Sequence, residues 1–155
     1  MVAEGVKPND LAVTKDGYIL FTDTGASQVK RVDPKTGEVT VADTGVSKPN
    51  GIALSNDGGT LAVSDYGGDT TWTFRVNAGG VLDAKMPTMP MRLAIDPKGE
   101  FKFNEAPPYV ASSKGDGMAV DKAGRYYVTS DLGVQIFDPT GRPCGVLPRP
   151  DSSQP

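Results

Sequence analysis

Apolar residues fall along this chain in short runs, several of them alternating with polar positions. The runs are LAVT (11–14), YILFTD (18–23), QVKRVD (28–33), EVTVAD (38–43), GIALS (51–55), TLAVSD (60–65), TWTFRV (71–76), RYYVTSD (125–131) and VQIFD (134–138). A period of two is that of a half-buried strand. Turn-forming pairs punctuate the runs at Asp16-Gly17, Thr36-Gly37, Asp57-Gly58, Lys98-Gly99, Ala123-Gly124 and Thr140-Gly141. No stretch sustains a helical period over the roughly 11 residues that would argue for an amphipathic helix. The pattern predicts an all-β chain made of hairpins.

The runs also repeat. Aligned on Gly17, Gly58 and Gly124, each unit has an alanine five residues earlier (Ala12, Ala53, Ala119). Eight residues earlier stand Asn9, Asn50 and Asp116, and six or seven later stand Asp23, Asp65 and Asp131. A weaker fourth copy, MRLAIDPKGEFKF, has Ala94 five before Gly99 but Met91 where the others hold a polar residue. The alanines recur at intervals of 41, 41 and 25 residues. A four-stranded propeller blade takes about 40–45 residues. The last interval is too short for a blade, so LAIDPKGEF reads as an excursion within a long second unit. Blade-like units are therefore expected over about 6–47, 48–113 and 114–148, with 149–155 as a tail. In a propeller the loops that lead into successive blades converge on one channel mouth. Asn9, Asn50 and Asp116 would then face one another there. A local reading also stands, since Asn and Asp favour turns by bonding nearby backbone.

Charge and composition narrow the chemistry. Sixteen basic against 19 acidic residues give a net charge of −3 with no basic cluster, so nucleic acid is not expected as a ligand. No apolar run approaches the roughly 20 residues of a membrane span, and no membrane partner is expected. MVAEGVKPND lacks the basic start and apolar core of a signal peptide, which by default points to the cytoplasm. A single cysteine, Cys144, rules out an intrachain disulfide and is expected as a small semi-buried residue. There is no histidine, which removes Ser-His-Asp and Cys-His mechanisms and histidine-based zinc sites. Any metal must be held by oxygen.

Three segments carry a family resemblance: PNDLAVTKDGYILFTD, KPNGIALSNDGGTLAVSD and GDGMAVDKAGRYYVTSDLGVQIFDPTGRPCGVLP. They resemble the gluconolactonase, senescence-marker-protein (regucalcin) and luciferin-regenerating-enzyme family. The resemblance implies a partial six-bladed β-propeller, about three blades of four-stranded antiparallel sheet from the middle of the ring. It implies a metal-dependent hydrolase of sugar lactones or related esters, incomplete in this chain. The alternative is a non-catalytic propeller fragment acting as a binding module.

In the family a metal at the mouth is held by a glutamate, an asparagine and an aspartate. The asparagine and aspartate fall on Asn50 and Asp116; the glutamate has no counterpart, and Glu4 lies in the wrong unit to be assigned. Asn9 falls on a residue that contacts substrate or metal-bound water. Lys7 falls where a basic substrate contact can stand, or is a solvated loop lysine. The oxygen ligands suit Ca²⁺ first, with Zn²⁺ or Mn²⁺ as alternatives. Asp116 could double as a general base towards a metal-held water. Asp23, Asp65 and Asp131 are expected to end the second strand of each unit, as caps or as supports for the ligand loops. Trp72, Phe74 and Tyr66 are expected to pack between blades, and Pro107, Pro108 and Tyr109 to form a rim loop. A partial ring has three fates: closure by a second copy as a homodimer, poor folding, or an open face that binds another polypeptide.

Overall fold

The computed structural model describes residues 6–149. Residues 1–5, with Glu4 and half of the stretch read for a leader, lie outside it, as does the tail from 150 onward. Among the described residues, twelve strands form three four-stranded antiparallel sheets, each a simple meander. Sheet I holds β1 (Leu11–Val13), β2 (Ile19–Asp23), β3 (Gln28–Val32) and β4 (Val39–Asp43). Sheet II holds β5 (Pro49–Leu54), β6 (Thr60–Asp65), β7 (Thr70–Asn77) and β8 (Val81–Pro90). Sheet III holds β9 (Met118–Val120), β10 (Tyr126–Ser130), β11 (Gly133–Phe137) and β12 (Pro143–Pro148).

The repeat seen in the sequence is a repeat of register. Leu11 pairs with Phe21, Ile52 with Val63 and Met118 with Val128. The glycines that align the units turn the first hairpin of each sheet at φ +91°, +73° and +80°, a region open to glycine but costly for a side chain. Asx turns tighten the hairpins: Asp57 accepts from the Gly59 amide at 2.9 Å, Asp121 from Ala123 at 2.8 Å and Asp138 from Thr140 at 2.8 Å.

Alternation then decides what each face packs against. Leu20 and Val29 of sheet I meet Ile52, Leu61, Val63 and Phe74 of sheet II in one core. Ala62 and Met89 of sheet II meet Tyr126, Val128 and Phe137 of sheet III in a second. The sheets therefore stack in chain order, the leading face of each on the trailing face of the one before. Two faces are left over. On sheet I, Leu11 and Val13, which match the buried Ile52 and half-buried Leu54 of sheet II, are each 54% exposed. On sheet III, Ala119 and Thr129 are exposed.

Because the strands alternate in direction, the starts of β5 and β9 and the β2–β3, β6–β7 and β10–β11 turns share one end of the molecule. The connection from β8 to β9, residues 91–117, lies at that end too and contains only a single bridge, Ile95 to Tyr109. LAIDPKGEF is within it, as is the Pro107–Tyr109 stretch, and Met91 at its start is buried in the second core.

Three expectations need correction. Cys144 is exposed rather than semi-buried, because β12 is an edge strand. Asp131 follows β10 instead of ending it, so its strand-end equivalent is Ser130. Tyr66 is not a packing aromatic: it stands in the β6–β7 turn, 36% exposed. Trp72 and Phe74 do pack between sheets I and II.

Candidate functional site

Asn50 sits where β5 departs from regular pairing. Pro49 pairs with Asp65 and Ile52 with Val63, so an extra residue is accommodated at Asn50-Gly51. Such a bulge bends the strand and re-aims a side chain. Asn50 is 8% exposed, and its Oδ1 is buried with no hydrogen-bond partner. A buried amide oxygen without a protein partner costs free energy on the order of 1–3 kcal/mol, which makes this oxygen a candidate donor to a ligand. Its backbone carbonyl is satisfied, accepting from Thr22 Oγ1 at 2.5 Å.

Asp116 stands two residues before β9, with its side chain exposed. Its backbone is pinned on both sides. The amide donates to the Thr129 carbonyl at 2.9 Å, and the carbonyl accepts from Ser64 Oγ at 2.7 Å. Ser64 also accepts from the Gly51 amide at 2.9 Å, so one buried hydroxyl joins the strand of Asn50 to the loop of Asp116. The approach is close enough to require glycine at 51: a Cβ there would strike the Asp116 carbonyl and come within 2.9 Å of Gly117 Cα.

Asn9 is exposed, and its amide donates to the Thr22 carbonyl at 2.8 Å. Thr22 thus links Asn9 to Asn50 as Ser64 links Asn50 to Asp116. Lys7 is exposed. Its amide is among the groups that hold the Asp23 carboxyl below the ordinary carboxylate range; the Lys30 ammonium at 2.7 Å is the largest cause, and burial opposes it.

Asp65, which ends β6, and Asp131, which follows β10, support the loops on which the candidate residues stand. Asp65 accepts from the Lys48 amide at 2.8 Å, two residues before Asn50. Asp131 pairs with the Lys114 ammonium at 3.0 Å, two residues before Asp116, and raises that lysine's pKa. A cleft of about 540 Å³ opens beside Asp116, lined by Tyr66, Lys114, Thr129, Asp131 and Arg149.

Three residues were missed in the sequence. Thr22 and Ser64 carry the links just described, and Asp10 crosses from sheet I to accept from the Ile52 amide at 3.0 Å. The signal for the hydroxyls was present, as FTD and VSD place one before the aspartate in both units.

As a donor set, the unpartnered Asn50 amide oxygen and the exposed Asp116 carboxylate are hard oxygen ligands that suit a cation such as Ca²⁺. Among the described residues no three acidic or thiol side chains gather into a metal-binding group. The site therefore offers one carboxylate and one amide.

Residues 2–155 match the SMP-30/Gluconolactonase/LRE-like region. This chain belongs to that family. It is 30% identical over 156 residues to a gluconolactonase of Zymomonas mobilis, covering 90% of this chain and 41% of that protein. It superposes on a gluconolactonase of Xanthomonas campestris with a TM-score of 0.68 at 27% identity, covering 96% of this chain and 50% of that one. A calcium-binding regucalcin of Agrobacterium tumefaciens shares the fold, with a TM-score of 0.65 at 18% identity and 44% of its chain covered. The chain spans half or less of the length of these relatives. Its three stacked sheets are a partial propeller of this family.

Proposed function

We propose that this chain carries part of the active site of a cation-dependent hydrolase of sugar lactones, with Asn50 and Asp116 as its cation ligands. The observation that carries the reading is the buried, unpartnered Oδ1 of Asn50, on a strand tied through Ser64 to the loop of Asp116. Similarity to two gluconolactonases supports the substrate class. Oxygen donors favour Ca²⁺ over Zn²⁺, with Mn²⁺ between them.

Asn50 and Asp116 would hold the cation, which when bound would supply polarisation of the lactone carbonyl and acidification of water. The chain's own groups do the rest. The Asp116 carboxylate takes a proton as a water oxygen bonds to the carbonyl carbon. The Asn9 amide group donates to the carbonyl oxygen as negative charge develops on it. The ring C–O bond then breaks, and the departing oxygen takes up the proton to leave a hydroxy acid. Lys7, exposed two residues before Asn9, would supply a basic contact to substrate hydroxyls.

The same reading assigns the uncovered faces of sheets I and III to a second copy of the chain. The leading face of sheet I has the apolar pattern that sheets II and III bury, so two copies joined head to tail would close a ring of six sheets. The second reading, a non-catalytic binding module, is favoured by the lack of a three-acid cluster among the described residues. Lactone hydrolysis with and without divalent cation, compared between wild type and Asp116→Ala, separates the two. Absence of any cation-dependent rate above background supports the module.

A further inference from the structure

The two candidate ligands come from different sheets, so something must set the distance between them. The hydroxyl position before the second-strand aspartate bonds across to the next sheet in both sheets I and II. Thr22 pairs opposite Val29 in sheet I, and Ser64 opposite Thr71 in sheet II. Each hydroxyl reaches a carbonyl near the start of its own sheet's first strand: Thr22 Oγ1 to Asp10, just before β1, at 3.3 Å and Ser64 Oγ to Gly51, within β5, at 3.4 Å. Each makes a shorter bond to a site residue of the next sheet, to the Asn50 carbonyl at 2.5 Å and the Asp116 carbonyl at 2.7 Å. Thr129 holds the equivalent place in sheet III, bonds the Gly117 carbonyl at 3.1 Å and is exposed.

Ser64 is the stronger case. It is fully buried, and its oxygen accepts from the Gly51 amide while donating to the Asp116 carbonyl. No other side chain bonds both the strand of Asn50 and the residue Asp116 among the described residues. We infer that Ser64 is a positioning residue that fixes the spacing of the Asn50 and Asp116 oxygens, with Thr22 holding Asn50 from the opposite side. Neither touches the cation or the substrate. The role rests on the cation site proposed above, and it adds to that reading the residues that make two sheets act as one ligand set.

The test is a Ca²⁺ titration followed by NMR at the Asn50 side-chain amide and the Asp116 backbone amide, on wild type, Ser64→Ala and Ser64→Thr. Amide hydrogen exchange at Gly51 is measured without cation. In Ser64→Ala, Ca²⁺ affinity is expected to fall about tenfold, the scale of losing a group that orients a metal ligand. Gly51 exchange should quicken, and Ser64→Thr, which keeps the hydroxyl, should bind within about twofold of wild type. Equal affinity in Ser64→Ala and wild type overturns the positioning role while leaving the cation site intact. Equal loss in Ser64→Ala and Ser64→Thr also overturns it, since packing rather than the hydroxyl would then govern. If wild type shows no Ca²⁺-dependent shift at either residue, the cation reading fails and this role with it.

Discussion

Gly51→Ala probes the junction of the two candidate ligands with a single methyl group. Gly51 lies in β5 and does not have a left-handed φ, so alanine is compatible with its backbone. The obstacle is space. The added carbon would strike the Asp116 carbonyl oxygen and meet Gly117 Cα at 2.9 Å and its carbonyl carbon at 3.0 Å. All three are backbone atoms, which cannot rotate aside, so β5 and the loop before β9 must part. Overpacking of this kind costs about 1–3 kcal/mol. For a chain of this size each kcal/mol lowers Tm by about 2–4 °C, giving an expected fall of about 2–12 °C. The same separation weakens the Ser64 bridge and moves Asn50 away from Asp116, so Ca²⁺ affinity should fall as well. Gly117→Ala is the control, because nothing lies within 4 Å of a Cβ built there. It should stay within about 0.5 kcal/mol of wild type. Thermal unfolding by circular dichroism, with a Ca²⁺ titration of each variant, reads both effects. A Gly51→Ala protein with wild-type Tm and affinity would refute the close approach and the joint built on it.

Two further outcomes follow from the sheets. Asp121 accepts from the Arg125 and Ala123 amides, pairs with Arg125 Nε at 2.7 Å and takes the Tyr127 hydroxyl, and its pKa is lowered to about 2, chiefly by the Arg125 amide. A carboxyl depressed on folding stabilises fully above its ordinary pKa and loses that contribution as pH falls toward the folded value. Asp121→Asn should therefore lower Tm at pH 6, with the gap to wild type narrowing from about pH 4 toward pH 2; a gap constant across that range contradicts the assignment. Closure by a second copy predicts, by light scattering, a mass about twice the 16.2 kDa of one chain, and Val13→Asp on the uncovered face of sheet I should yield single chains. A wild-type protein that runs as one chain and unfolds cooperatively rules closure out.

The sequence was most legible where one side of a strand is buried. Alternation in TLAVSD and TWTFRV marks β6 and β7 because Leu61, Val63 and Phe74 enter a core while their neighbours do not. It fails for β8 and β12, which lie at the sheet edges. β8 carries Pro87 and Pro90, has Ala84 at φ +48° and departs twice from regular pairing with β7, so no period survives. The three-residue β9 is too short for a period to show, and only its likeness to β1 and β5 revealed it. The equal offset of Asn50 and Asp116 from the turn glycines made them candidates, and the structure sets both at or just before the starts of first strands, at one end of the sheets. What joins them was not legible. A shared hydroxyl between residues 51, 64 and 116 is a property of stacked sheets, and nothing local to Ser64 announces which carbonyl it will meet. Asp131 misled for a related reason: its spacing from the turn glycine matches Asp65, yet sheet II holds an additional glycine, Gly59, and the two are one register apart.

Hydrolysis of a sugar lactone across a Ca²⁺ titration tests the proposed cation site of Asn50 and Asp116. Wild type should show a rate that rises with Ca²⁺, half-saturates at about millimolar concentration or above, as one carboxylate and one amide imply, and is abolished by chelation. Asp116→Ala should lose about 100-fold or more of that rate, the scale of a lost general base. A rate indifferent to Ca²⁺, Mn²⁺ and Zn²⁺, or one retained in Asp116→Ala, would contradict it.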